Sequence, residues 1–223
     1  MSRRLLVAGD IGGTKANVAV YAEEHGRRTP LREATLACAD FDGVGALLRA
    51  FPGSGGPPPH AACFGVAGPV RDGRVTAPNL PWAVDAGEIG AALGTPRVTL
   101  VNDLVATALG VPELPPECCA VLQEGRADPE GNGAVIAAGT GLGQALLFRV
   151  GGRFLAAPSE GGHASFAPTS DLEAELLRFL ATELGHVSVE RVASGRGLRN
   201  VYRFLTATGR EPESPRVRER MAC

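Results

Sequence analysis

Two short glycine turns, each framed by β-forming runs, constrain this chain more than any other feature. Leu5–Gly9 and Asn17–Tyr21 flank Asp10-Ile-Gly-Gly-Thr-Lys15, and Ala134–Ala138 and Ala145–Val150 flank Gly139-Thr-Gly-Leu-Gly143. Two apolar strands joined by a glycine turn read as a hairpin, so each half of the chain opens on the same device. Elsewhere strand and helix signals mix. Leu31–Cys38 predicts a third strand and Val44–Phe51 a short helix, while Pro52–Pro59, with four prolines and three glycines, predicts a surface loop. His60–Val66 and Val98–Val101 predict buried strands, Asp85–Leu93 and Leu104–Leu109 helices, and Arg71-Asp-Gly-Arg74 a hairpin turn. Ser170 with Glu173 is a capping-box signal. It opens a helix whose apolar stripe is Leu172, Leu176, Leu177, Leu180 and Leu184. A second helix is predicted from about Gly197 to Thr208, packing through Leu198, Val201, Tyr202 and Leu205, and the charged segment from Pro212 carries no stop signal. The three prolines of Gly110–Pro116 mark a domain boundary. The expectation is an α/β chain with domains 1–110 and 111–223.

Charge and apolar runs narrow the function classes. The 223 residues hold 24 acidic against 22 basic groups, a formal charge of -2, which is not the basic footprint of a nucleic-acid binder. No apolar run approaches the roughly 20 residues that span a bilayer, and the N-terminal run is cut short by Asp10. No nucleic acid, no membrane and a cytoplasmic location are therefore expected. Five scattered cysteines, without a C-x-x-C pair, read as reduced thiols and not as a disulfide framework or a zinc site.

The chemistry lies in the turns. Backbone N–H groups of a glycine turn converge on an anion, and glycine lets that anion approach without a Cβ in the way. Neither turn is a P-loop or a dinucleotide fingerprint, since Gln144 and a strand follow where the latter needs a helix. Each alone reads as an ordinary hairpin. Together, with a threonine in each and Asp10 beside the first, they point to a nucleotide clamp in which Asp10 holds Mg²⁺ through water. Asn102-Asp103 ends a buried strand, so Asp103 reads either as a general base or as the cap of the next helix. Glu160-Gly-Gly-His163 suits a ligand loop. His186 and Glu190, four apart, are expected to share a helical face, with Glu190 alternatively paired to Arg191 or Arg196. His25 and His60 read as surface residues. Carboxylates at Asp103, Glu160 and Glu190 with His163 can accept hydrogen bonds from the hydroxyls of a neutral polyol. No Gly-x-Ser-x-Gly elbow and no Cys/His pair favours hydrolysis.

Six stretches then stand in a recognisable order: Gly9–Asn17, Pro78-Asn-Leu-Pro-Trp82, Val101-Asn-Asp103, Gly139–Gly143, Glu160–His163 and His186–Gly195. With them the chain resembles the bacterial glucokinases of the actin-like, hexokinase-type ATPase superfamily, in the branch without the zinc motif. The resemblance implies an actin-like (ribonuclease H-like) two-domain sugar kinase fold. Residues 1–110 would be the small domain and 111–223 part of the large one. It implies ATP and Mg²⁺ as cofactors, with Asp10, Gly12, Gly13, Thr14 and Lys15 forming the first phosphate loop and Gly139, Thr140, Gly141 and Gly143 the second. By the same resemblance Asp103 is the catalytic base toward the 6-hydroxyl of glucose, and Asn79, Asn102, Glu160, His163 and Glu190 bind the sugar. A cleft closing between the domains, and a homodimer, are also implied. Family members continue past the point where this chain stops, in a helix-rich segment with an adenosine-binding Gly-Gly motif. The expectation is thus a chain lacking the C-terminal part of the large domain, with a non-catalytic remnant that binds sugar weakly as the alternative to an active kinase. A sugar-responsive regulator would need a DNA-binding module, and none precedes Leu5.

Overall fold

The computed structural model describes residues 3–52, 55–76, 80–126 and 128–221. They gather into two compact units, Met1–Gln123 and Glu124–Cys223.

The first unit is built on β1 (Arg4–Ile11), β2 (Lys15–Glu24) and β3 (Arg27–Ala37), an antiparallel meander. Then follow α1 (Val44–Ala50), β4 (Ala61–Val66), the short pair β5 (Arg74–Val75) and β6 (Val84–Asp85), α2 (Ala86–Leu93), β7 (Val98–Asn102) and α3 (Asp103–Gly110). The main sheet runs β3-β2-β1-β4-β7, with β1, β4 and β7 parallel. The second and third strands are longer than the sequence predicts. His25-Gly26, read only as a surface position, takes φ of 52° and 78°, the turn whose twist matches that of a β-ribbon, and it carries pairing out to Glu24 and Arg27. Asp72-Gly73 makes the same kind of turn at φ 50° and 71°, as its dipeptide predicts. β3 is the outer strand; it carries Pro30 with Arg27, Arg28 and Arg32.

Alternation along these strands sends one set of side chains inward. Ile11, Val18, Phe64 and Val66 meet Val44, Leu47, Leu48 and Ile89 from α1 and α2 in a fully buried core. Gly9 is needed here, because a Cβ on it would overlap the Phe64 ring. Asp85 caps α2 by accepting from the Gly87 and Glu88 amides at 2.8 and 3.1 Å, and Gly94 ends it in the left-handed region.

The second unit repeats the meander with β8 (Gly133–Ala138), β9 (Leu142–Val150) and β10 (Arg153–Ser159), ordered β10-β9-β8. β10 escapes a reading by β-propensity because Arg-Phe-Leu-Ala-Ala-Pro-Ser has little of it. It is recruited by Gly151-Gly152, whose φ values of 56° and 76° fold the chain straight back onto β9. Ile136, Leu146, Phe148 and Leu155 stay exposed on these strands.

Three helices follow, α4 (Asp171–Leu184), α5 (Gly195–Ala207) and α6 (Pro215–Met221). The Ser170 hydroxyl caps α4 through the Glu173 amide, while the Glu173 carboxylate reaches back to the amide and hydroxyl of Thr169, and those bonds hold its carboxyl below the usual range. Leu176, Leu180, Val187 and Phe204 form the core between α4 and α5, with the Phe179 and Phe204 rings tilted at 5.6 Å.

The expected stripes need two corrections. Leu198 is 72% exposed and Leu172 47% exposed. On α5, Val201 and Leu205 pack as expected, Phe204 is buried beside them, and Leu198 turns to solvent on the helix that Ser194 caps. The charged terminal segment, which carries no stop signal, folds in part as α6.

Removing the Phe64 side chain empties a fully buried site against Gly9. Phe64→Ala is expected to cost about 3–5 kcal/mol in urea unfolding, whereas Leu198→Ala stays within about 0.5 kcal/mol of the parent.

Candidate active site

In the first unit the C-terminal ends of the parallel strands carry the chemistry, as expected for an open α/β sheet. Asp10 lies on β1 beside Gly65 of β4, and Gly65 lies beside Val101 of β7, one residue before Asn102. Asp10 is exposed and Asp103 half-buried. Gly65 lets α3 begin close to the sheet, since a Cβ there would come within 3.1 Å of the Ala106 methyl.

The structure removes the cap reading of Asp103. Asn102, not Asp103, is the N-cap: its Oδ1 accepts from the Leu104 and Val105 amides, and its Nδ2 donates to the Gly68 carbonyl at 3.2 Å. Asp103 is left as the first helical residue, its Oδ1 accepting from the Leu104 amide at 2.9 Å. Burial pushes the Asp103 carboxyl above its ordinary value, with the negative charge of Asp10 adding to the rise, against the lowering effect of the Leu104 amide. The first loop, with Gly12, Gly13, Thr14 and Lys15, closes through the Gly12 amide, which donates to the Lys15 carbonyl at 3.0 Å. Asn79 lies outside the described residues.

In the second unit the start of β9 gathers the other candidates. Within Gly139–Gly143, the Gly139 amide donates to the Gly141 carbonyl at 2.9 Å, and the Gly139 carbonyl accepts from the Gly195 amide at 2.8 Å. Thr140 is exposed. The Glu190 carboxylate accepts from the Leu142 amide at 2.9 Å and lies where a Cβ on Gly141 would stand. The turn Glu160–His163 sits on the same stretch, because a Cβ on Gly161 would overlap the Gln144 side chain and one on Gly162 the Leu142 carbonyl. Glu160 and His163 are exposed side chains 3.7 Å apart. The chain then pairs with itself, Phe166 amide to Val187 carbonyl and Val189 amide to Ala164 carbonyl, both at 2.9 Å. That pairing brings Glu190 beside the Glu160–His163 turn.

The expected helical face shared by His186 and Glu190 does not form. Glu190 lies in a single 3-10 turn, Val189–Arg191, and His186 precedes it, its Nε2 3.1 Å from the Ser165 hydroxyl. Glu190 bonds a backbone amide in place of the arginine partners considered for it. Sequence reasoning passed over Ser194, whose hydroxyl donates to the Glu190 carbonyl at 2.7 Å and accepts from the Gly197 amide at 3.0 Å. The signal for it was a serine before a glycine-rich helix start. Among the described residues no cluster of three or more His, Cys, Asp or Glu side chains could hold a metal by itself, the described cysteines are free, and no helix is long and apolar enough to cross a membrane.

Two hairpin-led α/β units with carboxylates and glycine turns at the strand ends define an actin-like fold of the sugar-kinase class. The comparisons with solved structures agree. The glucokinase from an Antarctic psychrotroph is 32% identical with a TM-score of 0.83, covering 95% of this chain and 67% of that one. A ROK family glucokinase from Streptomyces griseus, solved in complex with glucose and AMPPNP, is 26% identical with a TM-score of 0.53, covering 92% of this chain and 62% of its own. The glucokinase family model matches residues 7–221, and the glucokinase of Nostoc sp. is 37% identical over 222 residues, 96% of this chain. The chain belongs to the glucokinase family. It spans 64% of the length of the Nostoc relative.

An acid whose folded pKa lies above its unfolded one binds its proton more tightly in the native state, so stability falls as pH rises through that interval. Asp103 is such an acid. Asp103→Asn is therefore expected to unfold at higher denaturant than the parent at pH 7, with the gap closing as pH falls below the carboxyl range.

Proposed function

We propose that this chain carries the phosphate-transfer and sugar-binding machinery of a glucokinase that moves the γ-phosphoryl group of ATP to the 6-hydroxyl of glucose. The observation that carries the reading is Asp103, a half-buried carboxylate at the C-terminal end of β7, held by the Leu104 amide and facing the charge of Asp10. The 6-hydroxyl oxygen attacks the γ-phosphorus, the bond from that phosphorus to the bridging oxygen breaks, ADP leaves, and the hydroxyl proton passes to the Asp103 carboxylate. Asn102, Glu160, His163 and Glu190, with Asn79, orient the sugar. Glu160 and His163 are exposed side chains 3.7 Å from one another, so both stand open to a sugar's hydroxyls. The turns with Gly12, Gly13, Thr14 and Lys15, and with Gly139, Thr140, Gly141 and Gly143, hold the phosphates through backbone N–H groups.

The residues present suit a magnesium ion. Asp10 is an exposed carboxylate whose charge reaches Asp103, a hard oxygen donor of the kind that holds Mg²⁺ through water. When bound, Mg²⁺ neutralises charge on the β- and γ-phosphates. Support for glucose and ATP comes from the Streptomyces griseus glucokinase, whose structure contains glucose and AMPPNP. In this reading residues 1–110 are the small domain and 111–223 belong to the large one, in a cytoplasmic homodimer.

The test is glucose-dependent ADP formation by the purified chain with Mg-ATP, beside Asp103→Ala. Loss of a base of this kind is expected to lower kcat about 10²–10⁴-fold. Because Asp103 works only when ionised and its pKa is raised, kcat/KM is expected to fall with acid at a pH above that of an ordinary aspartate. A folded chain with no turnover, or equal turnover in Asp103→Ala, overturns the proposal.

A further inference from the structure

The Asp10–Lys15 turn is fastened from behind by two residues to which neither the family reading nor the site description gives a task. The Cys38 amide donates to the Thr14 carbonyl at 2.9 Å. The Cys38 thiol donates to the Gly12 carbonyl at 3.3 Å. Cys38 is fully buried at the start of the 3-10 turn Cys38–Asp40, and burial raises its pKa, so the sulfur keeps the proton that makes it a donor. That 3-10 turn is itself pinned. The Trp82 indole N–H donates to the Phe41 carbonyl at 2.9 Å and to the Cys38 carbonyl at 3.3 Å.

The direction of these bonds matters more than their number. A carbonyl oxygen facing a phosphate repels it, whereas an N–H attracts it. Here the Ile11 carbonyl accepts from the Ala67 amide, Gly12 from the Cys38 thiol, Thr14 from the Cys38 amide and Lys15 from the Gly12 amide. Four carbonyls are thus committed to protein donors. Among the described residues the Gly13 and Thr14 amides have no such commitment. A glycine turn is free to flip its peptide planes, so something must hold the anion-binding arrangement.

We propose that Cys38 and Trp82 are positioning residues for phosphate binding, a thiol-and-indole clamp that keeps the Gly12 and Thr14 carbonyls turned away from the anion. This rests on the reading of Asp10–Lys15 as a phosphate loop. It assigns the clamp a role on the nucleotide side of the reaction and none on the sugar side.

The test compares Cys38→Ala, which removes the donor, with Cys38→Ser, which supplies an O–H in its place, and with Trp82→Phe. Amide hydrogen exchange is measured residue by residue without ligand. Exchange at Gly12 and Cys38 is expected to quicken about tenfold in Cys38→Ala and Trp82→Phe, to stay within about twofold of the parent in Cys38→Ser, and not to change at Leu180 in the second unit or Ile89 in the core. Trp82 is the chain's one tryptophan, so its emission reports separately on the Cys38 variants and is expected to shift to the red in Cys38→Ala alone. With Mg-ATP and glucose, KM for Mg-ATP is expected to rise about fivefold or more in Cys38→Ala, with KM for glucose unchanged. Unaltered exchange at Gly12, an increase spread across the whole first unit, failure of serine to rescue, or an equal rise in both KM values overturns the clamp. Absence of turnover in the parent chain counts against the phosphotransfer reading alone, because the exchange measurement still decides the clamp.

Discussion

β1 is hydrogen-bonded along both edges, antiparallel to β2 and parallel to β4, and that double pairing fixes what the first unit can do. A strand held on both sides cannot slip by one residue without exchanging its inward and outward faces. Its inward set, Val7 and Ile11, is buried, so Asp10 must emerge on the other face at the end of the strand. The parallel partners β4 and β7 end at the same level, which brings Asn102 and Asp103 to the same end of the sheet. Gly9 and Gly65 carry the packing cost of this arrangement. One makes room for the Phe64 ring and the other for α3.

The second unit reaches a comparable result by crowding. Leu142–Gln144 is touched by the Glu190 carboxylate, by Gly161 and by Gly162, and it continues directly from the glycine turn. Anything that shifts the Glu160–His163 turn must therefore press on β9, and the backbone glycines leave no compliance for a side chain to absorb it. Asp103 shows the converse economy in the first unit. Its environment resists ionisation, which weakens the native state while keeping the carboxylate basic.

Much of this was legible from residue order. Hairpins around Asp10–Lys15 and Gly139–Gly143, the helices of α1, α2 and α4, and the strands β4 and β7 follow from periodicity, turn chemistry and caps, all of which are local. What escaped was tertiary. β10 is a strand because Gly151-Gly152 folds it onto β9, against its own propensity. On α5, Val201 and Leu205 pack as their spacing implies, whereas Leu198 looks like a core residue and is exposed, because only the tertiary neighbours of the helix decide how wide its buried face is. The shared face of His186 and Glu190 fails because the segment pairs with Ser165 and its neighbours and never becomes a helix. The cap expected at Asp103 falls one residue earlier, on Asn102, because the path of the chain out of β7 decides which side chain meets the Leu104 and Val105 amides. Cys38 had no sequence signal at all, since its partner Gly12 is 26 residues away.

The two sheets end very differently at their borders. In the first, β3 closes the row with a proline that has no N–H to offer and with arginines that repel a second strand. In the second, β8 closes it with Gly-Ala-Val-Ile-Ala-Ala, uncharged and without proline, and Ile136 is 66% exposed. A border of that composition accepts further strands from neighbouring molecules. In these residues β8 thus offers its outer N–H and C=O groups to a further strand where β3 does not, and a charge placed on Ile136 is expected to disfavour that pairing without altering either glycine turn.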